Sequence, residues 1–255
     1  MVSVITPSYN SEKYIAETIT SVLNQTYENW EMLIVDDASS DNTCAIIEDF
    51  IKADSRIKLF KQTKNQGAGV ARNIAIEKAN GNYIAFLDAD DLWKPQKLET
   101  QIAFMEKHQI AMSFSSYEMI DERSKLLHKK VNALPNLNYQ KLLKSNYVGN
   151  LTGMYSVQKL GKIYMPNIRK RQDWALWLKT IEKGGDAMGI PESLALYRVH
   201  KTGLSGNKLN LIKHNFNFYR KALNFGLFKA VWYFVQFIFE QFFIKSKLIT
   251  STQQK

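Results

Sequence analysis

Cysteine is nearly absent: Cys44 stands alone in 255 residues. A disulfide framework within one chain is impossible, and a cysteine-built zinc site lacks its ligands. A reducing, cytosolic setting is expected. Proline is scarce, at 5 residues, and no Pro- or Gly-rich stretch reads as a linker. Nor does any internal repeat appear. No G-x-G-x-x-G follows the first apolar run, where a dinucleotide-binding fold would carry it. Gly67-Ala68-Gly69 comes after the third apolar run and lacks the third glycine. Nicotinamide and flavin chemistry is therefore disfavoured, and there is no Walker A loop. The opening MVSVITPSYN has neither a basic n-region nor a long apolar run, so no signal peptide is expected there.

What is present is an ordinary globular balance, 45% hydrophobic and 23% charged, which excludes wholesale disorder. The net charge of +10 is uneven. Residues 1–120 carry 11 Lys and Arg against 17 Asp and Glu, a balance of −6. Residues 121–255 carry 23 against 7, a balance of +16. The basic half predicts an anionic partner, such as phosphate groups or an anionic membrane surface. The acidic front argues against a nucleic-acid binder, which would want a basic footprint across its contacting domain.

The first 90 residues alternate between short apolar runs and helical spacing. Strands are expected at Val2–Thr6, Trp30–Val35, Ile57–Phe60 and Tyr83–Leu87. Helices are expected at Glu12–Asn24, at Asp41–Lys52 with Asp41 as a cap, and at Gly69–Ala79. Such alternation predicts a parallel sheet with helices on both faces, whose ligand sits at the carboxyl ends of the strands. Three strand ends carry polar signals: Thr6-Pro7-Ser8-Tyr9-Asn10, Asp36-Asp37 with the serines after it, and Asp88-Ala89-Asp90-Asp91. They should meet in one crevice. Beyond them, a helix is expected at 97–107 and a strand or two at 110–120. Residues 121–150 read as basic loop with a helix at Tyr139–Lys144. A helix at Trp174–Lys183, a short strand at Ala195–Val199 and a largely helical stretch from Lys208 to Lys247 follow.

Three carboxylates within Asp88–Asp91 repel one another, so a positive group should neutralise them. Hard oxygen ligands suit Mg²⁺ or Mn²⁺, which commonly bridge diphosphates. The plainer alternative is an acidic turn capping the next helix. Asp36 or Asp37 can accept from a ribose hydroxyl or a base N–H, or can serve as a cap.

The ordered set TPSYN, VDDASSDNT, NQGAGVARNIAIEKANGNYIAFLDADDLW, RQDWALWL and YRVHKTGLS resembles a family 2 glycosyltransferase with the GT-A fold, of the kind found in bacterial surface-polysaccharide synthesis. It covers about residues 1–205. The resemblance implies an α/β fold, a Rossmann-like, mostly parallel sheet flanked by helices. It implies a nucleotide-binding half at 1–95, an acceptor half at 96–205 and a helical, aromatic-rich tail at 206–255. Thr6 and Pro7 would shape the first turn, and Tyr9 would lie beside a uracil ring. Asp37, with or without Asp36, would bond the base, and Arg72 would meet the donor. Asp88 would bond ribose or sugar, and Asp90 would bind a divalent metal, Mn²⁺ or Mg²⁺, on the diphosphate. Asp173 would be the general base of an inverting transfer. His200 would reach the metal or diphosphate, and Arg198 would support it and bind the nucleotide sugar, in a loop that continues through Gly203-Leu204-Ser205 and closes over the donor. The implied reaction moves a sugar from a nucleotide-diphosphate sugar, a UDP-sugar, to a saccharide acceptor carried on a lipid diphosphate. Lys125, Lys129, Lys130, Arg169 and Lys170 could meet that diphosphate or the lipid headgroups.

Plainer readings stand beside these roles. Tyr9 could pack, Arg72 could pair with Glu77, and Asp173 could be an ordinary helix cap. A different class, a non-catalytic module binding sugar nucleotides or glycans, would need no base at all. In the tail, Lys229, Tyr233, Gln236, Glu240 and Lys247 fall on one narrow helical stripe and the rest is apolar. Only ten uncharged residues separate Lys229 from Glu240, whereas a span needs about 20. The stripe fits a helix packed on the domain, a helix pairing two copies as a homodimer, or an in-plane membrane helix with Lys245 and Lys247 near anionic headgroups. The last places the protein in the cytoplasm, peripheral on the inner face of the cell membrane.

Overall fold

A computed structural model describes residues 1–200 and 214–252. The chain begins with the expected alternation: β1 (Val2–Ser8), α1 (Ile15–Leu23), β2 (Trp30–Asp36), α2 (Thr43–Ala53), β3 (Ile57–Lys61), α3 (Ala68–Lys78) and β4 (Tyr83–Phe86). β3, β2, β1 and β4 lie side by side in that order, all parallel. Their residues alternate between two cores because successive side chains leave a strand on opposite faces. Val2, Val4, Met32, Ile34 and Ala85 pack with Ile15, Ile19 and Ile47 of α1 and α2 on one face. Ile5, Leu33, Val35, Ile84 and Phe86 pack with Ala71, Ala75 and Ile76 of α3 on the other.

Antiparallel pairing extends the sheet. β5 (Leu92–Trp93), α4 (Lys97–Lys107), β6 (Met112–Ile120), β7 (Leu126–Val131), β8 (Asn136–Leu137), α5 (Tyr139–Lys144), β9 (Met154–Ser156) and α6 (Val157–Leu160) come next. β9 sits between β4 and β6, antiparallel to both. After α7 (Gln172–Gly184), the twelve-residue strand β10 (Ala187–Arg198) runs parallel to β6 and pairs antiparallel with β5 and β8. β10 begins well before the short strand expected at Ala195. Pro191 and register shifts on either side of Ser193 interrupt the pattern that would have announced it. β7, LLHKKV, was expected as loop because its charged, exposed edge lacks an apolar face.

The described part of the tail packs on the domain. A π-helical turn at Phe218–Ala222, α8 (Leu227–Phe239), a second π-helical turn at Glu240–Ile244 and β11 (Ile249–Ser251) follow one another. Phe218, Tyr219 and Ala230 are buried in the same core as Trp174 of α7. β11 closes the outer edge of the sheet against β7.

Candidate active site

β1, β2 and β4 end together, so the three polar strand ends do converge. A cavity of about 540 Å³ opens there, lined by Pro7, Tyr9, Tyr14, Asp37, Arg72, Asp88, Asp90 and His200 among others. Tyr9 is half exposed at its mouth, so it is not a core packing residue.

The two carboxylates at the end of β2 divide their work. Asp36 is buried and accepts from Ser8 Oγ at 3.1 Å, from Ser39 N at 2.8 Å and from Ser39 Oγ. It faces the turn and does not line the cavity. Asp37 reaches the cavity wall. It also accepts from the backbone N–H of Gln66 and of Gly67, each at 2.7 Å, and from Gln62 Nε2 at 2.8 Å. These bonds pin the loop that launches α3. Gly67 takes φ 91° there, a left-handed conformation that side chains disfavour. Asp41 is not the cap of α2, a position Asn42 holds, but its Oδ1 accepts from Thr43 N at 3.0 Å at the start of the helix. Thr6, behind the cavity, is fully buried and its hydroxyl has no protein partner.

α3 delivers Arg72, which is buried and paired with Asp88 Oδ1 at 2.5 Å rather than with Glu77. Burial works against its charge, but Asp88, Asp173 and Asp90 together hold its pKa raised. Asn150 Nδ2 also donates to Asp88 Oδ1, at 3.1 Å. Next door, His200 Nε2 lies 2.8 Å from Asp90 Oδ2, and Glu122 faces the other ring nitrogen at 3.9 Å. Partial burial and the adjacent Asp88 charge push the Asp90 carboxyl up, and the His200 bond offsets part of that. Burial, then the charges of Asp90 and Asp88, push Asp91 well above the usual carboxylate range.

Arg198 does not reach the donor cavity, contrary to expectation. Its side chain is fully buried and its donors are spent on the protein. Nε donates to the Asp90 carbonyl at 2.7 Å, and Nη1 to the Asp121 carbonyl and to Ser124 Oγ. Nη2 meets Glu17 at 3.0 Å. Arg198 therefore braces the acidic turn from behind.

Asp173 lies in the first turn of α7 but is not its cap; Arg171 holds that position in a left-handed conformation, φ 70°. The Asp173 carboxylate turns to Asn146 Nδ2, 2.8 Å away. Gln172 packs over Gly69, so α7 starts against the start of α3. A second cavity of about 470 Å³ lies at this junction, lined by residues 65–70 and 166–169 and by Gln172. It shares Ala68 with the first. A third, about 270 Å³, shares Asn167, Ile168 and Arg169 with the second and is lined by Lys170 and by Lys221 of the tail.

The basic residues thus separate. Arg169 and Lys170 sit beside these cavities. Lys129 and Lys130 lie on β7, and Lys130 Nζ donates to the Pro191 carbonyl at 2.8 Å. Lys245 turns inward to the Asn146 carbonyl and not toward solvent. The expected Gly203-Leu204-Ser205 closure lies outside the described residues. Sequence reasoning missed Asn146 and Asn150, since an asparagine in a loop carries no spacing signal.

Comparison with known proteins places this geometry. Residues 3–163 match the family described as glycosyl transferase family 2. A Bacillus subtilis protein named as a teichuronic acid biosynthesis glycosyltransferase, TuaG, is 45% identical over 93% of this chain and 94% of its own length. The Escherichia coli UDP-Glc:alpha-D-GlcNAc-diphosphoundecaprenol beta-1,3-glucosyltransferase WfgD is 39% identical over 85% of this chain and 84% of its own. In structure, S. aureus TarS in complex with UDP superposes with a TM-score of 0.71 at 22% identity, covering 96% of this chain and 73% of TarS.

Proposed function

We propose a specific reaction for this chain, which belongs to glycosyl transferase family 2: inverting transfer of a sugar from a UDP-sugar to a saccharide on a lipid diphosphate. One observation carries the reading. Arg72, Asp88, Asp90 and His200 meet in a single cavity at the strand ends, and Arg72 also feels the charge of Asp173. Donor chemistry and a candidate base are thereby coupled through one guanidinium.

In this reading Tyr9 and Asp37 receive the uracil, and Arg72 and Asp88 receive the ribose and diphosphate. The acceptor enters along the second and third cavities, with its diphosphate beside Arg169, Lys170 and Lys221. The acceptor hydroxyl attacks the anomeric carbon as the bond to the diphosphate oxygen breaks. Its proton passes to the Asp173 carboxylate, on the side opposite the leaving group. The Arg72 guanidinium counters the charge that grows on the diphosphate. Asp90 and His200, one oxygen and one nitrogen donor on the same wall, would hold a divalent cation. Among the described residues no set of three metal-ligating side chains is gathered. When bound, such a cation would supply Lewis-acid stabilisation of the leaving group. One relative supports the donor and acceptor classes, and one solved structure of similar fold supports the cation. WfgD is named for UDP-Glc and a GlcNAc-diphosphate lipid, and a solved mannosyltransferase, PcManGT from Pyrobaculum calidifontis, is in complex with GDP-Man and Mn²⁺.

The tail supports a membrane site for the acceptor. α8 sets Tyr233, Phe234 and Phe237 against the domain. Its outer face shows Phe228 (91% exposed), Trp232 (64%), Val235 and Phe239, continued by Phe242 (70%) and Phe243. Leu227–Leu248 is long and apolar enough to cross a membrane. Its buried Glu240, however, is bonded to Lys141 and Tyr147 of the domain. Crossing would break that pairing, so the helix lies in the plane of the membrane, with Arg220, Lys221 and Lys247 beside it for anionic headgroups.

The test is Asp173→Asn, assayed with UDP-glucose and a GlcNAc-diphosphate lipid. Transfer falls at least a hundredfold while UDP affinity stays within about twofold of wild type, taking general-base catalysis at its usual 10²–10⁴. Undiminished turnover refutes Asp173 as the base, and UDP binding by the wild type without any transfer would instead favour the non-catalytic binding module.

A further inference from the structure

The cluster around Asp173 contains more than the transfer reaction uses. Three consecutive residues after α5 each take a partner from one short segment of the tail. Ser145 Oγ donates to Gln241 Oε1 at 3.5 Å, the Lys245 ammonium donates to the Asn146 carbonyl, and the Tyr147 hydroxyl donates to Glu240. Glu240 is buried and is also paired with Lys141. Glu240 and Gln241 lie in the π-helical turn Glu240–Ile244, a wound-out geometry enriched at functional sites, and Lys245 opens the 3-10 turn that follows it.

Three of the polar functions of Asn146 are directed. Its carbonyl accepts from Lys245, and its Oδ1 accepts from Val148 N at 3.1 Å. This second bond fixes the amide so that Nδ2 points at Asp173 Oδ2. The residues flanking Asp173 are held by the tail as well. Arg171, in its left-handed conformation, donates from Nε to Asn215 Oδ1 at 2.7 Å. Trp174 stacks on Phe218 with ring centroids 4.0 Å apart and planes 9° from parallel, and Phe237 lies against it at 5.8 Å. A non-glycine residue at positive φ persists only where its surroundings over-determine it, and here the tail supplies part of them. Burial, together with Arg171, pulls the Lys245 pKa down to about 8, and the Asp173 charge acts in the opposite sense.

We propose that the C-terminal segment is a working part of the active site: Lys245, through the Asn146 carbonyl, sets the orientation in which Asn146 holds the Asp173 carboxylate. Asn146 and Lys245 are positioning residues, and the inference rests on Asp173 being the base. A base held within a few tenths of an ångström of its task is sensitive to such supports, since a misplacement of about 1 Å costs on the order of 10²-fold in rate.

The experiment compares Asn146→Ala, Lys245→Met, the double variant and Lys245→Arg in the full chain. Each is assayed for kcat and donor KM with UDP-glucose and a GlcNAc-diphosphate lipid, and for UDP affinity. Asn146→Ala lowers kcat roughly 10- to 100-fold and leaves donor KM and UDP affinity unchanged. Lys245→Met lowers kcat severalfold, Lys245→Arg restores it, and the double variant is no slower than Asn146→Ala alone, because both act on one carboxylate. Asn146→Ala keeps every tail contact in place, so it tests the link even if Lys245→Met is unstable. A folded Asn146→Ala with wild-type kcat, or additive losses in the double variant, overturns the proposal. Asp173→Asn separates the two levels. An active Asp173→Asn sinks the base itself; an inactive Asp173→Asn beside an active Asn146→Ala sinks only the positioning role.

Discussion

Replacing Arg198 with methionine distinguishes a brace from a donor ligand. Methionine keeps much of the stem's volume but removes every guanidinium donor. The Asp90 carbonyl then loses its partner inside the protein, whereas the Asp121 carbonyl keeps the Ser124 N–H at 3.1 Å. The loss at Asp90 costs about 1–3 kcal/mol. Glu17 is half exposed, so it returns to water and adds no more than about 1 kcal/mol. The stacking of the guanidinium over Tyr14, 4.5 Å from the ring centroid, disappears as well. The sum, with the lost stacking included, is roughly 2–4 kcal/mol. For a chain of this size that is on the order of 10 °C in melting temperature. Guanidinium and thermal denaturation measure it directly. Activity falls too, through kcat, because the Asp90 turn loses its support. An unchanged midpoint with a donor KM raised tenfold would mean that Arg198 touches the nucleotide sugar, and the bracing argument would be refuted.

Three further outcomes follow from other parts of the structure. Asp91 is buried with its carboxyl well above the usual range, owing to burial and then to the charges of Asp90 and Asp88, so the folded chain binds that proton more tightly than the unfolded chain. Its contribution to stability therefore declines as pH rises from about 4, the unfolded value, through the folded one; Asp91→Asn flattens that decline in the guanidinium midpoint, and an identical pH profile contradicts it. EDTA abolishes transfer from UDP-glucose and Mn²⁺ restores it, whereas full activity in EDTA removes the cation from the Asp90–His200 wall. Trp232→Glu combined with Phe242→Glu lowers co-sedimentation with phosphatidylglycerol vesicles at least tenfold while circular dichroism is unchanged, and retained binding shows that this face does not meet the membrane.

Much of the site was legible because it depends on where strands end. Apolar runs located β1, β2 and β4, and a parallel sheet brings their carboxyl ends together, so Tyr9, Asp37, Asp88 and Asp90 could be grouped before any coordinates. Division of labour within a pair was not legible. Asp36 and Asp37 are adjacent carboxylates, and only the direction of each side chain separates the one that ties the turn from the one that reaches the cavity. Arg198 was misread for a related reason: a motif gives proximity to the acidic turn, but not the side of the turn from which the guanidinium approaches. β7 and the early part of β10 escaped because an exposed, charged edge and a bulged strand both lose the alternation on which strand recognition depends.

The tail shows most plainly what periodicity alone leaves open. Its polar stripe was legible, but a stripe does not state which way it faces. On an ordinary surface helix the polar side meets water and the apolar side meets the core. Here Tyr233 and Glu240 of the stripe contact the domain, while Phe228, Trp232, Phe239 and Phe242 stand outside. Tyr233, Phe234 and Phe237 pack on the same domain side, so the inward face is mixed and the outward face is almost wholly apolar. That arrangement is stable only if something apolar covers the outside, and the inward polar groups then serve a purpose that hydrophobic packing could not. Glu240 and Lys245 make directed bonds to the segment that aims Asn146 at Asp173. In the proposed reaction, one helix would join the surface that meets a lipid-linked acceptor to the carboxylate proposed to deprotonate it.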